Sequence, residues 1–263
     1  MALPRIDVVI PAIEKDLATL PHVIDALRKQ VQHPIGQILI IAPRKKRIME
    51  LCRVKGCRFV DEDTVLPITK KHIHYSSSRW ERSGWLYQQL LKLGAAKLCS
   101  SSYYLVMDAD TVLIRPHRFR TGEGKTVFYT RNWSQSEYFV TYRKLMGQRP
   151  AAPSSLVTHY MLFEKAQVTQ LKRTIEARHG ISWYKAIIRS MNKKQQFAFS
   201  EFETYGNFLY TRMPNKVLLR PARNKALHTP FRLLSAAKLK TLASRYRSIS
   251  LHQRKDYSKT KGL

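Results

Sequence analysis

Negative charge is what this chain has least of. Its 263 residues hold 18 Asp and Glu against 47 Lys and Arg, a formal net charge of +29. A field of that sign favours an anionic partner: nucleic acid, an acidic membrane leaflet or an acidic glycan. Long apolar runs are also missing. No window reaches the roughly 18 consecutive apolar residues of a membrane-spanning helix, so no span is expected. Cysteine is rare, and Cys52, Cys57 and Cys99 are odd in number and without zinc spacing. They read as reduced cytosolic thiols rather than a disulfide framework. The first residues, Met-Ala-Leu-Pro-Arg-Ile-Asp, lack the basic start and apolar core of a secretory signal. Glycine numbers only 10, and no repeat or low-complexity run is present, which removes solenoid and fibrous classes. The expectation is a cytoplasmic protein to which a peripheral station on the inner face of a membrane is open.

What is present suits one large α/β domain or two small ones. Ile6 to Pro11 is a buried-strand run, and Leu17 to Val31 follows with Leu20, Val23, Ile24, Leu27 and Val31 on one helical face. Ile35 to Ala42 is the next strand, Lys45 to Lys55 a basic amphipathic helix, and Cys57 to Val60 a short third strand. It is followed by an acidic loop, Asp61-Glu62-Asp63, in which one carboxylate could reach a base or ribose. This β-α-β-α-β alternation implies a parallel sheet. After a loop over 64–79, Trp80 to Leu93 is helical. Further on, Thr126 to Thr130 reads as a strand and Glu137 to Met146 as a helix. Gly147 to Ser155, with two prolines, is the best internal boundary. Ser155 to Phe163 is expected as a strand, Lys165 to Arg178 and Trp183 to Met191 as helices, and Phe197 to Tyr210 as helix or strand. Lys216 to Leu219 is a short strand, Ala236 to Tyr246 a basic helix, and Lys255 to Leu263 a frayed tail.

One stretch stands out. Tyr103 to Met107 is continuously apolar or aromatic and runs into Asp108-Ala109-Asp110. Such a run fits a strand buried on both faces, and aspartate should end it. Carboxylates at the carboxyl end of a strand lie where open α/β sheets bind ligands. Hard oxygen donors suit Mg²⁺ or Mn²⁺. A second acidic pair, Glu201 and Glu203, is flanked by aromatics and is the pair to inspect for a general base. On a helix only one of the two can face a cleft. Alternatively, they are acidic residues stabilising a helix start capped by Ser200.

Asp7-Val-Val-Ile-Pro11, Gly84-Trp-Leu-Tyr-Gln-Gln-Leu-Leu-Lys-Leu93, Tyr104-Leu-Val-Met-Asp-Ala-Asp-Thr111, His159-Tyr-Met-Leu-Phe163 and Ser200-Glu-Phe-Glu-Thr-Tyr-Gly206 together resemble the nucleotide-sugar-dependent glycosyltransferases of the GT-A type. In particular they resemble a bacterial group of small glycosyltransferase-like proteins. The resemblance covers residues 6 to about 210 and rests on motif order and spacing. It implies a GT-A-like, Rossmann-related α/β fold with a mixed, mainly parallel central sheet flanked by helices. It divides the chain into a catalytic domain over 1–222 and a basic extension over 223–263. The nucleotide part of that domain spans about 1–120 and the acceptor part about 121–222.

The resemblance further implies Mn²⁺ or Mg²⁺ held by Asp108 and Asp110, with Asp108 nearer the ribose. His252 is the preferred third ligand over His228. Pro11 and Ala12 would lie against the base or ribose and Arg82 against the diphosphate. Trp85, Gln88, Gln89 and His159 would face substrate, and Glu203 or Glu201 would be catalytic. The partners are a nucleotide-diphosphate-sugar donor and a surface-glycan or lipid-linked acceptor, with an anionic membrane surface open to the chain.

Two other classes compete. Asp108-Ala-Asp110-Thr-Val112 also fits the motif of haloacid dehalogenase-like phosphatases, with Asp108 as nucleophile. That motif normally opens its domain, whereas three strands precede it here. A basic nucleic-acid-binding protein is allowed by charge. However, no helix-turn-helix, zinc or Gly-rich RNA-binding motif is present, and two strand-end aspartates repel phosphate unless a metal is present.

Overall fold

A computed structural model describes residues 2–251. Its main sheet is built from Ile6–Pro11 (β1), Ile35–Ala42 (β2), Arg58–Asp61 (β3), Tyr103–Met107 (β4) and Tyr160–Glu164 (β7), in the order β3-β2-β1-β4-β7. The pairs β1–β2, β2–β3 and β1–β4 are parallel, and the edge strand β7 is antiparallel to β4. Parallel strands need crossovers, and Leu20–Gln30 (α1) and Lys46–Val54 (α2) supply the first two.

Alternation along each strand decides which side of the sheet a residue feeds. Val9, Leu39, Ile41, Tyr104, Val106 and Phe163 join one core, which also takes in residues of Ser83–Gly94 (α3), Lys165–His179 (α5) and Glu201–Arg212 (α7). Ile6, Val8, Ile10, Ile38, Ile40, Leu105 and Met107 join the other, against α1 and α2. Both faces are covered, so the strands read as unbroken apolar runs. Each such side chain contributes about 1.5–3 kcal/mol on burial.

Between β4 and β7 the chain makes an excursion through Thr111–Leu113 (β5), Thr126–Thr130 (β6) and Ser136–Met146 (α4). After β7 and α5 come Trp183–Ser190 (α6) and α7, then Val217–Pro221 (β8), Asn224–Ala226 (β9), Ala236–Arg245 (α8) and Ser248–Ser250 (β10). β6 pairs in parallel with β8, while β10 lies between β5 and β9. Residues 224–250, which the sequence groups with a basic extension, thus supply two strands of a small sheet with β5. His252 and the stretch from Lys255 to Leu263 lie outside the described residues.

One expectation needs correcting, and one open alternative is decided. The strand expected from Ser155 begins only at Tyr160, because His159 has a left-handed backbone, φ +70°, which cannot continue a β-ladder. The segment after Phe197 is helix from Glu201, not strand. Ser200 caps it by accepting the Glu203 N–H at 3.2 Å. Among the described residues no helix is long and apolar enough to cross a membrane.

Candidate active site

The chain leaves β1 toward β2 on one side and returns as β4 on the other, so the loops after β1 and β4 diverge. That is the topological switch point of an open α/β sheet, where a crevice forms at the carboxyl ends. Pro11 and Ala12 stand on one lip, both buried, with the Ala12 N–H donating to the Ile41 carbonyl at 2.9 Å. Asp108 stands on the other.

Asp108 is held from two sides. The Lys92 Nζ donates to its Oδ1 at 2.5 Å, and Oδ2 lies 3.1 Å from the His159 Nδ1. The Asp108 N–H also donates to the His159 carbonyl at 2.9 Å. The left-handed turn at His159 therefore brings both its ring and its carbonyl onto one residue. Histidine is among the residue types that tolerate this conformation, and strain of this kind collects at functional sites. Burial works against ionisation of Asp108, but Lys92 and His159 outweigh it and hold the carboxyl below its ordinary range.

Lys92 is the centre of the arrangement. It is 6% exposed, its Nζ also donates to the Glu201 Oε1 at 2.7 Å, and it sits 4.5 Å over the Phe202 ring. An ammonium this deep survives only if paired. Burial pulls it toward the neutral amine, and Asp108 and Glu201 more than reverse that pull. Burial raises the Glu201 carboxyl despite Lys92.

Helix α3 presents one polar stripe toward this centre. Arg82, Trp85, Gln89 and Lys92 recur at three- and four-residue steps, so they share a face. The Arg82 guanidinium lies 4.5 Å from the Phe197 ring centre and 5.2 Å from that of Trp85. Arg82 is buried and Trp85 half-buried. The Gln89 Oε1 accepts the Glu201 N–H at 3.2 Å, joining α3 to the start of α7, while its Nε2 is buried with no hydrogen-bond partner. Gln88 is half-buried beside it.

The two glutamates part as a helix requires. Glu201 joins Lys92, whereas Glu203 points elsewhere: its Oε1 accepts the Ser155 hydroxyl at 2.6 Å and the Leu156 N–H at 3.1 Å, and its Oε2 the Asn207 amide at 3.1 Å. Glu203 thus pins the loop before β7. The acidic triplet at the end of β3 is a capped turn, in which Asp61 accepts the Asp63 N–H and an Arg44 contact at 3.2 Å.

Asp110 is half-buried, and its carbonyl accepts the N–H of Leu251, the last described residue, at 3.0 Å. A third aspartate approaches this pair. Asp16, in the turn after Ala12, has its carboxyl raised to about 6, first by burial and then by the charges of Asp110 and Asp108. The Ile13 N–H, donated at 2.8 Å, lowers it only in part.

Among the described residues no three His, Cys, Asp or Glu side chains form a metal-holding group. Asp16, Asp108 and Asp110 nevertheless lie close enough for their charges to act on one another, and carboxylate oxygens are the donor type that suits a hard divalent cation. Mg²⁺ in particular commonly takes one or two carboxylates and completes its shell with phosphate and water.

Lys92 and Asp16 were not singled out from the sequence. For Lys92 a signal existed: it is the one charge in Leu90-Leu91-Lys92-Leu93-Gly94-Ala95-Ala96, and a lysine inside an apolar run must find a partner. For Asp16 none did, because the two aspartates it approaches lie more than ninety residues away.

The chain superposes on known structures. Over 94% of its length it matches the apo structure of the bifunctional glycosyltransferase WbbM, at TM-score 0.55 and 13% identity. It spans 45% of that protein. It matches mouse xyloside xylosyltransferase 1 in the apo form at TM-score 0.51 and 10% identity, covering 95% of this chain and 98% of that one. The fold is therefore that of the GT-A glycosyltransferases. No curated protein matches the chain by sequence. Residues 5–235 match the family of unknown function DUF6492, and the chain belongs to that family.

Proposed function

We propose that the chain is a metal-dependent glycosyltransferase that moves a sugar from a nucleotide-diphosphate sugar to a surface-glycan or lipid-linked acceptor. The observation that carries this reading is the Asp108–Lys92–Glu201 chain of contacts at the switch point of a GT-A-like sheet. A crevice with a carboxylate held ionised on one lip and a buried carboxylate with raised affinity for protons behind it suits acid–base work on a hydroxyl. Haloacid dehalogenase-like and nucleic-acid-binding readings are not favoured. Asp108 is already engaged by Lys92 and His159, and the fold neighbours are glycosyltransferases.

In this reading Pro11, Ala12 and Asp16 border the base and ribose. Arg82 offers the diphosphate a fixed positive charge. Asp110 and Asp108 would hold Mn²⁺ or Mg²⁺, with His252, the residue after Leu251, as the proposed third ligand. When bound, the ion would neutralise the departing diphosphate. Trp85, Gln88 and His159 border the sugar, and a substrate hydroxyl would satisfy the open Gln89 Nε2. Glu201 is the proposed base on the acceptor hydroxyl, its proton affinity raised by burial and set by Lys92, and Glu203 holds the acceptor loop in place. The nucleotide part spans about 1–120 and the acceptor part about 121–222, and β9 and β10 of the basic extension close the Asp110 side.

The test is thermal melting with a panel of nucleoside diphosphates, each with and without Mn²⁺. A ligand at a hundred times its Kd adds roughly 2.7 kcal/mol. One nucleotide should raise the Tm only with metal, and Asp110→Ala should abolish the rise. With the donor so named, Glu201→Gln should cost about 10²–10⁴ in kcat with the Tm shift by nucleotide kept, while Glu203→Gln should mainly lower the Tm. No shift with any nucleotide would sink the reading.

A further inference from the structure

A groove of about 930 Å³ opens between the turn at Ile68–His72, the end of α4 and helix α6. Its rim carries Lys144, Lys185, Arg189, Lys193 and Lys194, all exposed, and no acidic residue lines it. Its floor is apolar: Ile68, Ile181 and Ile188 are half-buried and Met191 is buried. Helix α6 explains the pattern. Trp183, Ala186 and Ile187 face the core, Lys185 and Arg189 stand one turn apart on the outside, and Ile188 lies between the two faces.

Five cations around an apolar floor complement a ligand that is both anionic and greasy. Phosphate alone would leave the isoleucines without a role, and stacked bases would call for Phe, Tyr or Trp, none of which lines the groove, His72 being its one ring. A lipid leaflet with anionic headgroups supplies both halves: headgroup phosphates for the rim and the upper acyl region for the floor.

The two segments that border the groove also lead along the chain to site residues. Beyond Lys194 the chain passes Gln195, whose carbonyl accepts the Tyr75 hydroxyl at 2.6 Å, and Ala198, whose N–H donates to the Tyr75 hydroxyl oxygen at 3.1 Å. It then reaches Ser200 and Glu201. The other segment continues from His72 through Tyr75 to Arg82, whose N–H donates to the Tyr75 carbonyl at 2.9 Å. Tyr75 thus ties the stretch that leaves the groove after Lys194 to the stretch that leads from His72 to Arg82.

We propose that this face docks the protein on a bilayer leaflet containing anionic lipids. A second part, that a lipid-linked acceptor reaches the site along these two segments, rests on the transferase reading. The docking itself does not.

The experiment is sedimentation of the full chain with vesicles of phosphatidylcholine alone and of phosphatidylcholine mixed with phosphatidylglycerol. Binding should be confined to the mixed vesicles. Lys185→Glu with Arg189→Glu should weaken it by at least about 25-fold, one surface cation being worth roughly fivefold. Lys193→Glu with Lys194→Glu stands in if the first pair does not fold. Lys238→Glu with Lys240→Glu, the same charge change on α8, should weaken it several-fold less.

Equal binding to both vesicle types would overturn the proposal, as would equal loss from the α8 pair. So would a groove variant that keeps vesicle binding but loses retention of a mixed DNA fragment, which would make this a nucleic-acid face. None of these readouts uses nucleotide or transfer, so docking and the transferase reading fail separately.

Discussion

Two carboxylates lie at opposite ends of the paired strands β1 and β4, and their surroundings differ in kind. Asp7, at the amino end, is fully buried and accepts five hydrogen bonds from neutral donors. Its Oδ1 takes the Gln37 N–H at 2.9 Å and the Ser101 hydroxyl at 3.1 Å. Its Oδ2 takes the Ser100 and Ser101 N–H groups at 2.7 and 2.9 Å and the Ser100 hydroxyl at 3.1 Å. Burial alone would raise its carboxyl, but the backbone donors of Ser101 and Gln37 and the two hydroxyls hold it below the ordinary range.

Asp108, at the carboxyl end, has a cation and an imidazole in place of that cage, and its side chain keeps 27% exposure. The first arrangement ties β1 to the entrances of β2 and β4 and leaves nothing to offer a ligand. The second leaves a charge reachable from the crevice. Full burial among neutral donors thus locks one carboxylate into the framework, while partial exposure beside a cation leaves the other reachable.

The sharpest way to break this comparison is Asp7→Ala. It would strand the donors of Gln37, Ser100 and Ser101 inside the protein and should cost about 4 kcal/mol in urea unfolding. Nucleotide affinity per folded molecule should be unchanged, and a loss of affinity matching the loss of stability would erase the distinction. Because the folded carboxyl lies below its unfolded value, its contribution is full at neutral pH and fades as pH falls below about 4. Gly36 belongs to the same cage, since a Cβ there would run into the Asp7 Oδ1.

Lys92→Met should come next, at about 3 kcal/mol near pH 8, because it leaves Asp108 and Glu201 without their cation. Both carboxyls would then take up protons more readily, so the deficit should shrink toward pH 5. Nucleotide-dependent stabilisation should disappear. A deficit that does not change with pH would mean that Lys92 acts only through packing.

Asp16→Asn should have the smallest effect and the opposite sign. A carboxyl raised to about 6 in the folded state, from 3.8, penalises folding above pH 6 and not below pH 4. The variant should therefore gain about 1–2 kcal/mol near pH 8 and nothing near pH 4. A gain at both would place the cause outside ionisation.

Much of the framework was legible in the residues. The runs at β1, β2 and β4 are continuous because both sheet faces are covered, and Asp108 ends β4 because aspartate suits a strand poorly. The 3.6-residue period located α1, α3, α4 and α5 within a few residues. Asp108, Arg82, Trp85 and Gln89 were also visible as chemistry-bearing types near a strand end. That Gln89 would bond the Glu201 backbone was not, nor that Glu203 would be consumed by Ser155 and Leu156.

The division follows from the range of the forces involved. Propensity, periodicity and charge act between neighbours in the chain, so the sequence alone determined the strand runs, most helices, the Asp-x-Asp at the carboxyl end of β4 and the strongly basic surface. Only the tertiary structure decided that Lys92 would meet Asp108 and Glu201, that His159 would turn left-handed to face Asp108, and that β10 would return to Asp110. Lys92 and Glu201 are 109 residues apart, and periodicity names the face a residue occupies, not the residue it will meet across the core.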